Sequence, residues 1–360
     1  MSCPMPAPMR GVIVALGLLV VACSPAAAPQ ASPAAQPAAA PTDAAATAPR
    51  ELRKVRMAYG FAAPVVLPMY IALDQGIYTK YGLDVETILM QSSAQIAPAM
   101  AAGEIDIALT AGAGVVDVTL AGADQVLIES DHNRLRFYLH AQPDLRRVED
   151  LRDKRVAITR LGSGNHLAAQ ITLARAGLTA GRDVQLLQAG AVDALYTALV
   201  NGNADGAMLG SAQHFIARRQ GYPLLVDTAD YNIPYMQTSL AVTRGMLASR
   251  YDLVRDFVRA HLEAEGIGKR DPALAKRLLR QELQIDEEDA LEFNYRYWVD
   301  ELDDPPYPPL AAVQTVLEQR AEEIPAARTA DPRDFVDDRI LRELEASGFM
   351  RQALGPPLQR

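Results

Sequence analysis

Two stretches of the chain follow one plan. Residues 99–109 and 198–208 each contain an Ala-rich helical turn that ends at a glycine, then a short polar link and a small apolar run. A glycine at that point can adopt the left-handed conformation that ends a helix. The aligned positions are Gly103 with Gly202 and Asp106 with Asp205. The pattern predicts one α/β unit built twice, in two separate lobes; the alternative is coincidence in a chain rich in Ala and Gly.

Strand and helix patterns alternate along each half of the chain. Apolar runs at residues 55–59 and 85–89 enclose a helical pattern at 66–74. The same order returns at residues 155–159, 166–176 and 184–187. This alternation predicts parallel sheets flanked by helices. Later in the chain apolar residues recur at helical spacing, which predicts helices at 251–265, 272–281, 287–298 and 311–323.

Length and composition limit the class of protein. A chain of 360 residues is long for one compact core and favours two domains. Hydrophobic residues at 49% and charged residues at 22% are typical of a soluble globular body. The formal net charge of -9 gives no electrostatic reason to expect nucleic acid as a partner.

The residue types used in catalysis and metal binding are sparse. Cys3 and Cys23 are the only cysteines of the sequence, so the folded body has no disulfide or thiolate nucleophile to explain. The five histidines lack metal-ligand spacing, and the glycine pattern of a serine-hydrolase elbow does not occur. We therefore expect no enzyme activity, no metal and no cofactor.

The amino-terminal residues resemble an export signal. Arg10 precedes an apolar run at residues 11–22, which fits a signal peptide and is short for a membrane-spanning helix. Residues 19–23 resemble the bacterial lipobox, in which a small residue precedes a lipidated cysteine. These features predict a signal peptide at residues 1–22 and lipidation of Cys23. The alternative is an uncleaved anchor with an incidental cysteine, and Met1 and Met9 are both candidate start residues.

The segment after the signal is predicted to be a tether. Residues 23–52 are dominated by Ala and Pro, with too little bulky apolar surface to form a core. A lipid-linked tether would hold the folded body in the periplasm or at the cell surface, beside a membrane.

A set of motifs resembles a known family of transport proteins. The motifs lie at residues 68–78, 81–85, 101–108, 151–157, 162–164, 176–178 and 242–244. Together they make residues 53–265 similar to the NMT1/THI5-like (SsuA-like) solute-binding proteins of ABC importers for nitrate, sulfonates, taurine and thiamine-pyrimidine precursors.

The resemblance implies a fold and a domain division. The fold would be the α/β, type II periplasmic-binding-protein fold: two lobes, each a mostly parallel sheet flanked by helices, with extra helices at the carboxyl end. Lobe 1 would comprise residues 53–141 and 237–360, and lobe 2 residues 142–236. A solute would bind between them.

Loops at the carboxyl ends of the predicted strands are candidates for the ligand site, because ligands bind there in open α/β sheets. The strongest is residues 161–165, where glycines let backbone N–H groups approach a ligand and the next helix directs its positive end at an anion. An ordinary turn that begins a helix is the alternative. The candidate residues are Phe61, Pro64, Gln91, Ser92, Ser93, Thr110, Ala111, Gly112, Arg160, Gly162, Ser163, Gly164, Asn165, Ser211, Tyr231 and Tyr235.

Four of these candidates have a second interpretation. Arg160 could pair with a carboxylate or sulfonate, or lie on the surface. Phe61, Tyr231 and Tyr235 could clamp a ring, or belong to the core.

We expect an extracytoplasmic, monomeric solute-binding lipoprotein. It would capture a small sulfonate, pyrimidine or similar polar or anionic solute by lobe closure and deliver it to an ABC permease and its ATPase. One alternative is an enzyme of the same fold that makes pyrimidine or menaquinone precursors, which the export signal and the absence of cysteine from the body disfavour. Another alternative is a ligand-sensing adaptor for a membrane partner.

Overall fold

A computed structural model describes residues 51–90, 92–321 and 323–356 of the chain. The predicted signal peptide, the lipidation site Cys23, nearly all of the predicted tether and the candidate ligand residue Gln91 lie outside these described residues.

The described residues form strands and helices in an alternating order. The strands are β1 Arg53–Tyr59, β2 Leu83–Leu89, β3 Ile107–Thr110, β4 Gln125–Arg134, β5 Tyr138–Ala141, β6 Arg155–Ile158, β7 Gln185–Gln188, β8 Gly206–Leu209, β9 Leu224–Asp227 and β10 Pro234–Thr243. The helices are α1 Leu67–Asp74, α2 Ile77–Lys80, α3 Ser93–Ala101, α4 Gly112–Leu120, α5 Gly164–Arg175, α6 Val192–Val200, α7 Ser211–Arg219, α8 Arg244–Ser249, α9 Tyr251–Arg270, α10 Pro272–Leu283, α11 Glu288–Val299, α12 Leu310–Arg320, α13 Arg339–Ala346 and α14 Phe349–Leu354. Short 3-10 helices lie at Pro64–Val66, Val148–Leu151, Thr228–Tyr231, Pro325–Arg328 and Pro332–Phe335.

The strands form two sheets that share one topology. The first has the order β2-β1-β3-β10-β4 and the second the order β7-β6-β8-β5-β9. In each sheet the first three strands pair in parallel and the last two are antiparallel to their neighbours. The predicted α/β fold with two helix-flanked sheets and extra carboxyl-terminal helices is confirmed, and both sheets are mixed, with two parallel and two antiparallel pairings each.

The repeated motif forms the same network in both sheets. The Asp106 carboxylate accepts hydrogen bonds from the Arg56 backbone amide at 2.8 Å and from its Nε at 3.1 Å. The Asp205 carboxylate accepts the equivalent bonds from Arg155 at 2.8 Å and 3.2 Å. Arg56 also donates to the Gly103 carbonyl after α3, and Arg155 donates to the Gly202 carbonyl after α6. The aligned aspartates therefore bind equivalent arginines of β1 and β6 in the same way.

The chain crosses between the sheets at residues 135–137 and again before β10. Strand β5 pairs with β8 and β9 of the second sheet, although its residues were assigned to lobe 1 in the sequence-based division at 141. The crossing comes earlier because β4 pairs with β10 as far as Arg134, and the Leu135 amide then bonds to the Ile233 carbonyl at 3.0 Å.

The carboxyl-terminal helices cover the first sheet. Helix α9 packs against α1 and α14, and the α11 indole of Trp298 is fully buried in the same cluster. The hydrophobic clusters also include side chains from the second sheet, such as Tyr138. The described residues accordingly belong to one compact unit.

Candidate functional site

Five helices begin at one cleft. The residues that start or precede α3, α4, α5, α6 and α7 line it, and α3 and α4 come from the first sheet while α5, α6 and α7 come from the second. The cleft is lined by Gly60, Phe61, Ala62, Ala63, Val65, Ser92, Ala111, Phe137, Thr159, Ser163, Gly164, Asn165, Val192, Leu195, Gly210, Ser211, Ala212, Gln213, Gln237 and Tyr297. The first four amides of a helix have no partner within the helix, so the cleft collects unpaired N–H donors from several directions.

Four of these five helix starts lack a capping side chain. Only α5 has one, because the Ser163 hydroxyl accepts a hydrogen bond from the amide of His166 at 3.3 Å. Among the described side chains none caps α3, α4, α6 or α7, whose capping positions are Ser92, Ala111, Ala191 and Gly210. Helix starts that face a common space without caps favour a negatively charged ligand, since the helix dipoles add to the free donors.

Two buried polar side chains in the cleft lack hydrogen-bond partners. Ser92 is only 2% exposed and Gln237 only 7% exposed, and within the described part of the chain neither Ser92 Oγ nor Gln237 Oε1 has a partner. Buried polar groups are usually paired. These two atoms therefore point to a ligand that supplies the missing hydrogen bonds.

Asn165 presents a donor to the cleft. Its Oδ1 accepts hydrogen bonds from the amide of Thr159 at 3.2 Å and from its hydroxyl at 3.1 Å. Because the oxygen end is held in this way, the Nδ2 end is left to donate. Ser211 has the opposite role, because its hydroxyl donates to Asn294 Oδ1 at 2.9 Å and so offers lone pairs to the cleft.

The walls of the cleft are apolar and aromatic. Phe61, Phe137 and Tyr297 contribute rings, and the space between the walls is about 670 Å³, including the open mouth. Among the described lining residues none is Lys, Arg, Asp, Glu or His, so backbone amides and helix ends carry the electrostatics.

A neutral histidine supports the glycine loop beside the cleft. The Gly162 amide donates to His166 Nδ1 at 3.1 Å, which requires that nitrogen to be unprotonated. Burial, and then the positive charge of Arg320, lower the pKa of His166 to about 4. The loop therefore keeps this hydrogen bond at neutral pH.

Seven residues predicted from the sequence line the cleft together: Phe61, Ser92, Ala111, Ser163, Gly164, Asn165 and Ser211. Ser93 begins α3 next to Ser92. The loops that the strand-end rule selects on the two sheets therefore contribute residues to one common cleft.

Other predicted residues lie close by but do not line the cleft. Thr110 is buried at the end of β3 and Pro64 at the start of a 3-10 helix. Gly112 lies against Met236, where a Cβ would come within 2.7 Å of the side chain. Gly162 has a φ of +80° and lies beside Asp117.

Arg160, Tyr231 and Tyr235 also lie off the cleft. Arg160 is exposed, which agrees with its interpretation as a surface residue. Tyr231 stacks on the guanidinium of Arg175 at 4.2 Å. Tyr235 is fully buried, and its hydroxyl lies 2.9 Å from where a Cβ of Gly164 would be. Tyr235 therefore supports the start of α5 from behind.

Sequence reasoning missed several lining residues. Phe137 lies in the crossing segment and Gln237 in β10, where neither position carries a loop motif. Tyr297 comes from α11, whose helical pattern shows which face is apolar but not that one ring of it reaches the cleft. Thr159 ends a predicted strand, and that signal could have identified it.

Two absences hold for the residues that the structure describes. No group of three or more His, Cys, Asp or Glu residues within that part of the chain could hold a metal ion. No helix there is both long and apolar enough to cross a bilayer.

Comparisons with known proteins agree on the fold. The sequence model of the family described as NMT1/THI5 like matches residues 63–275. No curated protein matches the chain in sequence.

Three solved structures illustrate the structural similarity. The periplasmic nitrate-binding protein NrtA from Synechocystis PCC 6803 has a TM-score of 0.68 at 15% identity, covering 85% of this chain and 90% of that one. The alkanesulfonate-binding protein SsuA from Xanthomonas axonopodis pv. citri, bound to MOPS, has 0.65 at 18%, covering 76% and 93%. The aliphatic sulphonate-binding protein SsuA from Escherichia coli has 0.62 at 19%, covering 79% and 92%.

Proposed function

The chain belongs to the NMT1/THI5-like family, and from this premise we propose that it is the extracytoplasmic solute-binding component of an ABC importer, with a small organic anion as its solute. The named structural neighbours are binding proteins for nitrate or sulfonates, and the nitrate-binding protein and the Escherichia coli protein are periplasmic. Solute capture would bring the two lobes together, and the closed form would dock on the permease.

One observation carries the choice of an anion. Four uncapped helix starts line the same cleft as the buried Ser92 hydroxyl, which has no partner among the described residues. An anionic oxygen in this position would accept hydrogen bonds from the free amides and from Ser92. It would also interact favourably with the helix dipoles, each worth about 0.3–1 kcal/mol or more when partly buried.

The remaining groups define the body of the solute. The rings of Phe61, Phe137 and Tyr297 favour an apolar or aromatic portion. Gln237 Oε1 lacks a partner in the described structure and would accept a hydrogen bond from an N–H or O–H group. A sulfonate or carboxylate attached to a small ring or short chain meets these conditions.

Binding without catalysis fits the chemistry of the cleft. Its described lining contains no histidine, cysteine or carboxylate that could act as a nucleophile or general base. We further propose that Cys23 carries a lipid, that residues 23–52 act as a tether, and that the protein works as a monomer beside the membrane.

The test is binding of matched probes by the full chain with Cys3 and Cys23 replaced by serine, which prevents lipidation. Benzenesulfonate and benzoate should raise the melting temperature, whereas uncharged benzyl alcohol should not. A ligand at 100 times its Kd stabilises a protein by about 2.7 kcal/mol. Calorimetry with nitrate would show whether the organic body matters.

Ser92→Ala should weaken the binding of benzenesulfonate by about three- to tenfold, the usual range for one hydrogen bond. Ser249→Ala, whose hydroxyl lies on the surface of α8, is the matched control and should bind normally. If none of the anions raises the melting temperature, or if benzyl alcohol does so equally, the proposed anion specificity is wrong.

A further inference from the structure

Helix α11 lies outside the part of the chain that matches the family, which ends at residue 275. The inner face of the helix is anchored in the core of the first sheet, because Leu291 and Trp298 are fully buried there. Gly268 of α9 makes this docking close, since a Cβ at that position would lie 2.6 Å from the Trp298 ring. Helix α11 is therefore a fixed part of the first lobe.

A strip of α11 next to this inner face contacts the second lobe at α7. Asn294 is fully buried, and its Oδ1 accepts the hydrogen bond from Ser211 at 2.9 Å. The Asn294 orientation is set within its own helix, because Nδ2 donates to the Ala290 carbonyl at 2.8 Å. The ring of Phe293 lies 5.7 Å from that of Phe215. This contact joins the two lobes at the first residue of a cleft-lining helix.

Tyr297 connects α11 to the crossing segment between the lobes. Its ring lines the cleft, and the guanidinium of Arg136 lies 4.9 Å from the ring centre. The Tyr297 hydroxyl donates to the Arg136 carbonyl at 3.3 Å, and Arg136 in turn pairs with Glu301 at 2.6 Å. Residue 136 lies between β4 and β5, at a point where the chain passes from one sheet to the other.

We propose that α11 is the latch of the binding site: it holds α7 against the first lobe through the Ser211–Asn294 hydrogen bond and forms one wall of the cleft with Tyr297. Separation of the lobes must break the Ser211–Asn294 bond, whereas the Tyr297–Arg136 contact lies at the crossing and can persist. Asn294 is a positioning residue, because it acts on the solute through Ser211. The latch rests on the proposed solute-binding function, but it also predicts behaviour without any solute.

The test measures the distance between the lobes in the full chain. Asp84 and Gln185, both exposed on the outer strands of the two sheets, are replaced by cysteine for spin labelling, with Cys3 and Cys23 changed to serine. Without solute, Asn294→Ala should shift the distance distribution toward longer values. Arg296→Gln is the matched control, since the Arg296 side chain of the same helix is 62% exposed.

Benzenesulfonate gives the second readout. Asn294→Ala should increase its dissociation rate by about three- to tenfold, the range expected for one lost hydrogen bond, while the association rate changes little. Ser211→Ala removes the same hydrogen bond from the other lobe and should produce the same distance shift. The double variant should add nothing further, and Ser211→Ala replaces Asn294→Ala if the latter fails to fold.

The outcomes separate the latch from the proposed function. Unchanged distances in both Asn294→Ala and Ser211→Ala overturn the latch, even when benzenesulfonate binds to the wild-type chain. Longer distances support it, even when benzenesulfonate fails to bind and the choice of an anionic solute is wrong.

Discussion

At the scale of single residues, Gly164 is the position where the cleft is most sensitive to added volume. A Cβ at residue 164 would lie 2.9 Å from the Tyr235 hydroxyl and 3.3 Å from the Phe137 ring. The Tyr235 ring cannot move freely, because it is fully buried. Gly164→Ala should cost about 1–3 kcal/mol of unfolding free energy, as overpacking does, and should weaken the binding of benzenesulfonate.

Gly245 provides the control for this substitution. A Cβ there would meet its nearest atom, in Asp124, at 3.7 Å, an ordinary contact distance. Gly245→Ala at the start of α8 should be neutral or stabilise the fold by up to about 1 kcal/mol. Urea unfolding gives the free energy of unfolding of both variants. Equal values for Gly164→Ala and Gly245→Ala would contradict the steric role of Gly164.

The sequence predicts single residues well where a backbone rule applies. Ser163, Gly164 and Ser211 lie at the ends of the loops that lead from β6 to α5 and from β8 to α7, and such loops of an α/β unit face the ligand edge. Tyr231 and Tyr235 are candidates because of their rings and because their segment comes just before the predicted return strand. Ring chemistry does not report which side of a strand or turn a residue occupies, and both residues lie off the cleft.

At the scale of elements, α9 is held against α14 by a close backbone approach. A Cβ at Gly266 would lie only 1.9 Å from where the Ala353 carbonyl oxygen now is, so α14 would have to move. Gly266→Ala should therefore lower the unfolding free energy by about 1–2 kcal/mol, although alanine favours a helix by about 1 kcal/mol.

Hydrogen exchange provides the measurement for this variant. Amides of α14 should lose protection while those of α9 keep theirs, because only the docking is disturbed. A more stable variant, with α14 still protected, would mean that the helix propensity of alanine outweighs the contact.

The sequence predicts the positions of helices better than the packing contacts between them. The spacing of apolar residues places α9, α10, α11 and α12 to within a few residues, but helices α13 and α14 were not predicted. Each of those two helices has only six to eight residues, too few turns to show a clear period. The contact of α11 with α7 is also invisible in the sequence, because it depends on tertiary packing.

At the scale of the whole molecule, buried carboxyl groups make stability depend on pH. Glu129 and Glu265 are buried between β4 and α9. The pKa of Glu265 is raised well above 4.5, first by burial and then by the negative charge of Asp131. Above pH 4.5 the unfolded chain loses this proton while the folded chain keeps it, so the contribution to stability falls as the pH rises.

Glu265→Gln should remove this pH dependence. The melting temperature of the variant should be close to that of the wild type near pH 4. At pH 8 it should be higher than that of the wild type. Glu263→Gln on the same helix is the control of opposite sign, because Lys80 and Tyr81 lower the pKa of the Glu263 carboxyl. That variant should lose up to about 1 kcal/mol at neutral pH. Parallel curves for Glu265→Gln and the wild type would contradict the prediction.

The matching topology of the two sheets has a consequence for how a solute is oriented. A solute that contacted only the duplicated parts would have nearly equivalent surroundings in both lobes. It could then bind in two opposite orientations with similar free energies. Helix α11 comes after the strands of both sheets in the chain and is outside the duplicated units of the described structure, and it reaches the cleft through Tyr297. Helix α11 makes the two orientations unequal, so that a bound solute takes one of them. The preferred orientation then determines which end of the solute leaves first when the lobes separate.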